Sequence, residues 1–177
     1  MKKRVWFCLF TKVVPADFEA YMERQAAAGW QVDHIGQFSS FLMTFQKTAP
    51  KQYRYVFDLN AFPTPEYRDT YQAFGWEYVG KMASCYVWRQ EYAGERPESF
   101  ADRESLQRRN RRVRNAVLIC LILCSLGLLG MTAALLLTYR LRDGWRVLED
   151  LLSMVPLGGL VAYLSWVVWK IQKNLNR

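Results

Sequence analysis

Two hydrophobic periods alternate along the first ninety residues, and a third pattern replaces them afterwards. Strand side chains point alternately to two faces, whereas helix side chains share a face at spacings of three and four. Tyr53, Tyr55 and Phe57 alternate with Arg54, Val56 and Asp58, and Phe41, Met43 and Phe45 are spaced likewise. Phe18, Tyr21, Met22 and Gln25 fall on one helical face, as do Tyr67, Tyr71 and Phe74. These patterns predict a strand over Lys3–Phe10, a helix over Ala16–Ala28, and strands over Trp30–Gly36 and Phe41–Lys47. They then predict a strand over Tyr53–Leu59, a helix over Pro65–Phe74, and strands over Trp76–Gly80 and Cys85–Gln90. Gly29 and Gly75 follow the two helices, where a left-handed residue ends a helix at little cost. Thr64-Pro65 offers an N-cap followed by a proline in the first helical turn.

The order of elements repeats. Gly29-Trp30 recurs as Gly75-Trp76, and Tyr21 and Ala27 recur as Tyr67 and Ala73. Arg4, Phe7 and Leu9 recur as Arg54, Phe57 and Leu59. The expected fold over residues 1–92 is α+β: a tandem strand–helix–strand–strand repeat forming an antiparallel sheet, with both helices on one face. Duplication implies a pseudo-two-fold axis between the halves, with Trp30 and Trp76 in equivalent buried positions and Lys3–Phe10 and Tyr53–Leu59 flanking the junction.

The third pattern is apolar without a period. Ala116–Thr138 is an uncharged run of 23 residues, and Leu151–Trp169 is a second of 19. Each is long enough to cross a bilayer as a helix. Residues 93–115 are read as a linker and basic juxtamembrane helix, Asp102–Asn115 being able to continue into the first span. Residues 116–139 form that span, 140–150 an extracytoplasmic loop, 151–169 the second span and 170–177 a tail. The pairs Gly130 with Ala134 and Gly158 with Ala162 suit close helix packing.

Charge gives the hairpin a direction. The chain carries a net +8, yet residues 1–100 hold 12 Lys/Arg and 11 Asp/Glu. Arg103, Arg108, Arg109, Arg111, Arg112 and Arg114 precede the first span, against Arg140, Arg142 and Arg146 in the loop. Lys170, Lys173 and Arg177 follow the second span. Excess Lys and Arg stay on the cytoplasmic side, so both termini are expected in the cytoplasm, in a two-pass protein of the inner (plasma) membrane. The five arginines Arg108, Arg109, Arg111, Arg112 and Arg114 are thus read as membrane-orienting, and they also suit anionic lipid.

Catalytic chemistry finds little support. Cys8, Cys85, Cys120 and Cys124 lack zinc-like spacing, and His34 stands alone. Neither a nucleophile motif nor a Gly-rich phosphate loop is present. No catalytic residue, metal or cofactor is assigned. The near-neutral N-terminal domain also argues against nucleic acid as a partner. A ligand or partner site is expected between the repeats, on Arg4, Arg54, Tyr53, Tyr55, Asp58 and Tyr86. Its guanidinium groups suit a carboxylate or acidic peptide if that face is open. If it is covered, the arginines are ion-paired to carboxylates such as Asp58.

Several of these residues carry a family resemblance. Gly29-Trp30 after an Ala-rich helix, Tyr53-Arg54-Tyr55-Val56-Phe57-Asp58, Glu66-Tyr67 and Gly75-Trp76-Glu77-Tyr78-Val79-Gly80 resemble the bacterial family of membrane-associated proteins called domain of unknown function 2812 (DUF2812). Asp102 and Ser105 add a weaker match. The resemblance covers about residues 1–110 and implies hydrophobic spans after the domain. It also implies a regulatory setting, since such proteins are often encoded beside PadR-like repressors, and it brings no catalytic residue. The function expected is a membrane-anchored cytoplasmic binding or sensor module without catalytic activity. Its partners would be the bilayer and a protein or small ligand, and it has the option of homodimerising. The alternatives are a small-molecule-modifying enzyme with a cleft between the repeats, and an anchored nucleic-acid-binding domain.

Overall fold

The computed structural model describes residues 1–82, 84–98, 103–141 and 143–175. Asp102, Arg142 and Arg177, with the side chains of Arg103 and Ser105, lie outside the described residues. The chain forms two compact units, residues 1–110 and 111–177. The first therefore runs beyond the end of the repeats and takes in the start of the helix that follows them.

In the first unit, β1 (Lys2–Trp6) leads through a short helix, α1 (Cys8–Thr11), to α2 (Pro15–Ala27), β2 (Trp30–Val32), a 3-10 turn and β3 (Leu42–Lys47). The second half repeats this order with β4 (Tyr53–Leu59), α3 (Tyr67–Ala73), β5 (Glu77–Met82) and β6 (Cys85–Glu91). Each half folds its three strands into its own antiparallel sheet, in the orders β1-β3-β2 and β4-β6-β5. In both orders the last strand of the half lies in the centre. Gly29 and Gly75 adopt φ of 76° and 80° after their helices, as expected of caps.

The α+β class holds, but its arrangement differs from the sequence expectation in four respects. First, there are two sheets. They meet where Ile35 N–H donates to the Val79 carbonyl (3.0 Å) and Lys81 N–H donates to the Ile35 carbonyl (3.1 Å). That junction lies on the β2 and β5 sides, so β1 and β4 are outer strands and do not flank it. Second, the two helices cover opposite faces of the second sheet. Tyr53, Tyr55, Phe57 and Val87 pack with Phe18, Met22 and Ala26 of α2 and with Val32, Met43 and Phe45 of the first sheet. Val56, Tyr86 and Trp88 point the other way and pack with Trp76 and with Tyr67 and Tyr71 of α3. A strand with apolar residues on both faces is buried on both, and six consecutive β4 residues are buried.

Third, β1 stops at Trp6 because Phe7 takes a left-handed backbone, φ 51°, so Cys8 lies in a buried helical turn and not in a strand. Fourth, Trp76 is buried but Trp30 is only half-buried, beneath Lys3 and Lys47, 5.8 and 5.0 Å from its ring centre.

The second unit belongs to two long helices. α4 runs from Arg103 to Thr138, its first turns counted in the first unit, and α5 runs from Gly144 to Leu175 with Pro156 inside it. Both are apolar and long enough to cross a membrane. Within this unit Arg114 donates to Gln172 (2.8 Å). The expected close approach at Gly130 and Gly158 is not made; Gly127 is the glycine that faces the other helix, at Leu157.

Candidate functional site

An outer strand leaves every second N–H without a ladder partner. On β4 these groups belong to Tyr55 and Phe57, and helix α2 answers them with carboxylates. Phe57 N–H donates to Glu19 Oε1 (2.9 Å), and Tyr55 N–H donates to Glu23 Oε1 (3.2 Å). The spacing of four places both carboxylates on one stripe of α2, beside the Phe18, Met22 and Ala26 stripe that enters the core.

Three guanidinium groups converge on this pair. Arg54 Nη1 reaches Glu23 Oε1 at 2.8 Å and Glu19 Oε2 at 3.4 Å, and donates to the Tyr55 carbonyl. Arg109, from the start of α4, meets Glu19 Oε1 at 2.5 Å. Arg96 reaches Glu23 at 3.0 Å from the exposed side. Glu19, Arg54 and Arg109 are 3, 7 and 4 % exposed, so the centre of the cluster is shut off from water. Burial pushes the Glu19 carboxyl above its ordinary range, against the pull of Arg109 and Arg54. Water-excluded ion pairs tolerate no missing member, because a lone buried charge is strongly destabilising.

Beside Glu23 lies an open groove of about 400 Å³ between α2 and the ends of the second sheet, lined by Ala20, Glu23, Arg24, Gln52, Tyr53 and Tyr92. The path from groove to α4 is thus a chain of direct contacts: Glu23, Arg54, Glu19, Arg109.

The residues expected to share one cleft are distributed over three places. Arg4 is exposed on β1, in register with Thr44. Arg54 is buried in the cluster, ion-paired to the α2 glutamates. Tyr53 and Tyr55 enter the main core with ring centres 6.0 Å apart, and Tyr53 also lines the groove. Asp58 and Tyr86 lie on the α3 face, where the Tyr67 hydroxyl donates to Asp58 Oδ2 (2.8 Å) and the Trp88 indole donates to Tyr67 (3.2 Å). Burial and the Asp58 charge push the Tyr67 hydroxyl well above the usual tyrosine range and the Cys85 thiol up to about 12. Of the arginines read as membrane-orienting, Arg108, Arg111 and Arg112 are exposed, Arg114 meets Gln172, and Arg109 turns inward.

Glu19, Glu23 and Arg96 were not singled out by sequence. The usable signal was the Glu19/Glu23 spacing of four next to an apolar stripe, which puts carboxylates at the rim of a core.

The fold and the cluster together define an α+β domain whose compact unit ends inside a long apolar helix, the first of two able to cross a membrane. The chain belongs to the family described as protein of unknown function (DUF2812), whose model matches residues 16–122. That span contains Glu19, Arg54 and Arg109 and extends into the apolar part of α4. No match was found among the curated proteins or among the solved structures.

Proposed function

We propose that this protein is a membrane-anchored binding module with no catalytic activity. In this reading the occupancy of its N-terminal domain is passed to the first membrane span. The observation that carries the reading is the buried Glu19–Arg109 pair, which makes the start of α4 part of the domain's own charge balance. A ligand entering the groove would compete for Glu23 with Arg96. Arg54 would then redistribute between Glu23 and Glu19, and Arg109 would lose or gain its share of Glu19. A coupling of this kind needs only a difference in free energy between two arrangements of the cluster.

The same proposal places both termini in the cytoplasm, because six arginines precede the first span and three lie between the spans. A tag in the 140–150 loop should then be reached by reagents outside the cell, while a C-terminal fusion is protected; the reverse pattern would overturn the orientation.

The coupling is testable without knowing the ligand. A span longer than the hydrocarbon thickness tilts. Full-length protein in thin and in thick bilayers should therefore differ in amide exchange at Tyr55 and Phe57, by about threefold or more on the linkage argument. The Arg109→Ala variant should lose that difference. Wild-type exchange insensitive to bilayer thickness would leave the helices as a passive anchor.

A further inference from the structure

The N-terminal half of the domain carries a corner of exposed aromatic rings. Trp6 closes β1, Phe7 turns the chain with its left-handed backbone, and Phe10 follows in α1. Phe38 and Phe41 come from the turn before β3, and Phe7 N–H donates to the Phe41 carbonyl (2.7 Å), which pins the two segments together. Ring centres lie 5.8 Å apart for Phe7–Phe10, 6.2 Å for Phe7–Phe41 and 5.3 Å for Phe10–Phe41. Yet Trp6 is 64 % exposed and Phe38 80 %. Contiguous exposed aromatic surface marks an interaction site.

Charge identifies the occupant. Residues 1–14 contain Lys2, Lys3, Arg4 and Lys12 and no Asp or Glu; residues 36–47 contain Lys47 and no Asp or Glu. Lys2 and Arg4 alternate onto the same sheet face as Trp6 and are exposed. Asp33 lies at the opposite end of the sheet, held by Gln46 in register with Lys2, while Trp6 pairs with Leu42. Aromatic rings on two segments that carry Lys and Arg and no Asp or Glu match the headgroup zone of an anionic bilayer. Tethering favours the same occupant: only residues 92–102 separate β6 from α4, a reach of at most about 3.5 Å per residue. The domain thus meets its own bilayer at high effective concentration.

We infer that the Trp6–Phe7–Phe10–Phe38–Phe41 corner docks on the anionic surface of the bilayer that holds the two long helices. The inference rests on those helices being membrane spans.

The test uses the full chain in bilayer discs, with a benzophenone amino acid replacing Phe38 and, as control, the 93 % exposed Phe62. On irradiation, Phe38 should give about fivefold more lipid adduct in discs with about 30 % anionic lipid than in neutral ones, and salt should erase the excess. Trp6→Ser with Phe41→Ser should remove it as well, and Phe62 should give little adduct in either disc. Equal adducts at the two positions, or adducts from Phe38 to a second protein copy, would overturn the docking site. If instead the chain fails to insert into the discs, the membrane reading itself fails.

Discussion

Gly80→Ala is expected to unfold the N-terminal domain at temperatures where the wild type is stable. A Cβ on Gly80 would lie 1.9 Å from the Ile35 carbonyl oxygen and 2.6 Å from its carbon, and Gly80 holds φ 152°. The obstacle is backbone, so no side-chain rearrangement relieves it. To admit the methyl group, the two backbone hydrogen bonds that Ile35 makes with β5 must break, at a site where Ile35 is fully buried. Two buried backbone bonds lost, at about 1–3 kcal/mol each, together with the strain of an L-residue at this φ, give on the order of 4 kcal/mol or more. That is a large share of the 5–15 kcal/mol typical of a domain (roughly). Thermal unfolding followed by tryptophan fluorescence checks it. A midpoint lowered by only a few degrees would mean that the sheets do not meet at Gly80.

Removing Glu19 is the second large perturbation. Glu19→Ala removes the buried carboxylate that Arg54 and Arg109 share and leaves the Phe57 N–H without its acceptor. Breaking such a cluster costs about 3–5 kcal/mol. Glu19→Gln keeps an acceptor for Phe57 but loses the charge, so its cost should be smaller. Arg109→Ala should approach the Glu19→Ala value, whereas Arg111→Ala, two residues on and exposed, should stay within about 0.5 kcal/mol of wild type. Chemical denaturation of the full chain in bilayers measures all four. Equal, small effects at Arg109 and Arg111 would return Arg109 to the role of an orienting charge.

Much of the fold was legible because the strands and helices carry strong periods. The glycine caps were legible because Gly-Trp follows both helices. The end of β1 was not, since nothing in Trp6-Phe7-Cys8 announces a left-handed residue; phenylalanine rarely adopts one. The placement of α3 opposite α2 was readable in principle: Val56 sits between Tyr55 and Phe57, so β4 lacks a polar face apart from Arg54 and Asp58. Those two polar residues stand out in the sequence. Their partners do not, because Glu19 and Arg54 are 35 positions apart and Arg109 a further 55 on. In a set of six arginines, composition reveals a basic flank to a long apolar helix but not which guanidinium turns inward.

Arg109, a residue of the long apolar helix α4, completes the buried charge cluster of the N-terminal domain. A double-mutant cycle on the full chain in bilayers addresses it most directly, with Glu19→Gln, Arg109→Gln and their combination compared by denaturation. Direct contact predicts a coupling of about 1–3 kcal/mol, the double variant being markedly more stable than the sum of the single losses implies. Additive losses, within about 0.3 kcal/mol, would contradict the claim and separate the domain from its helix.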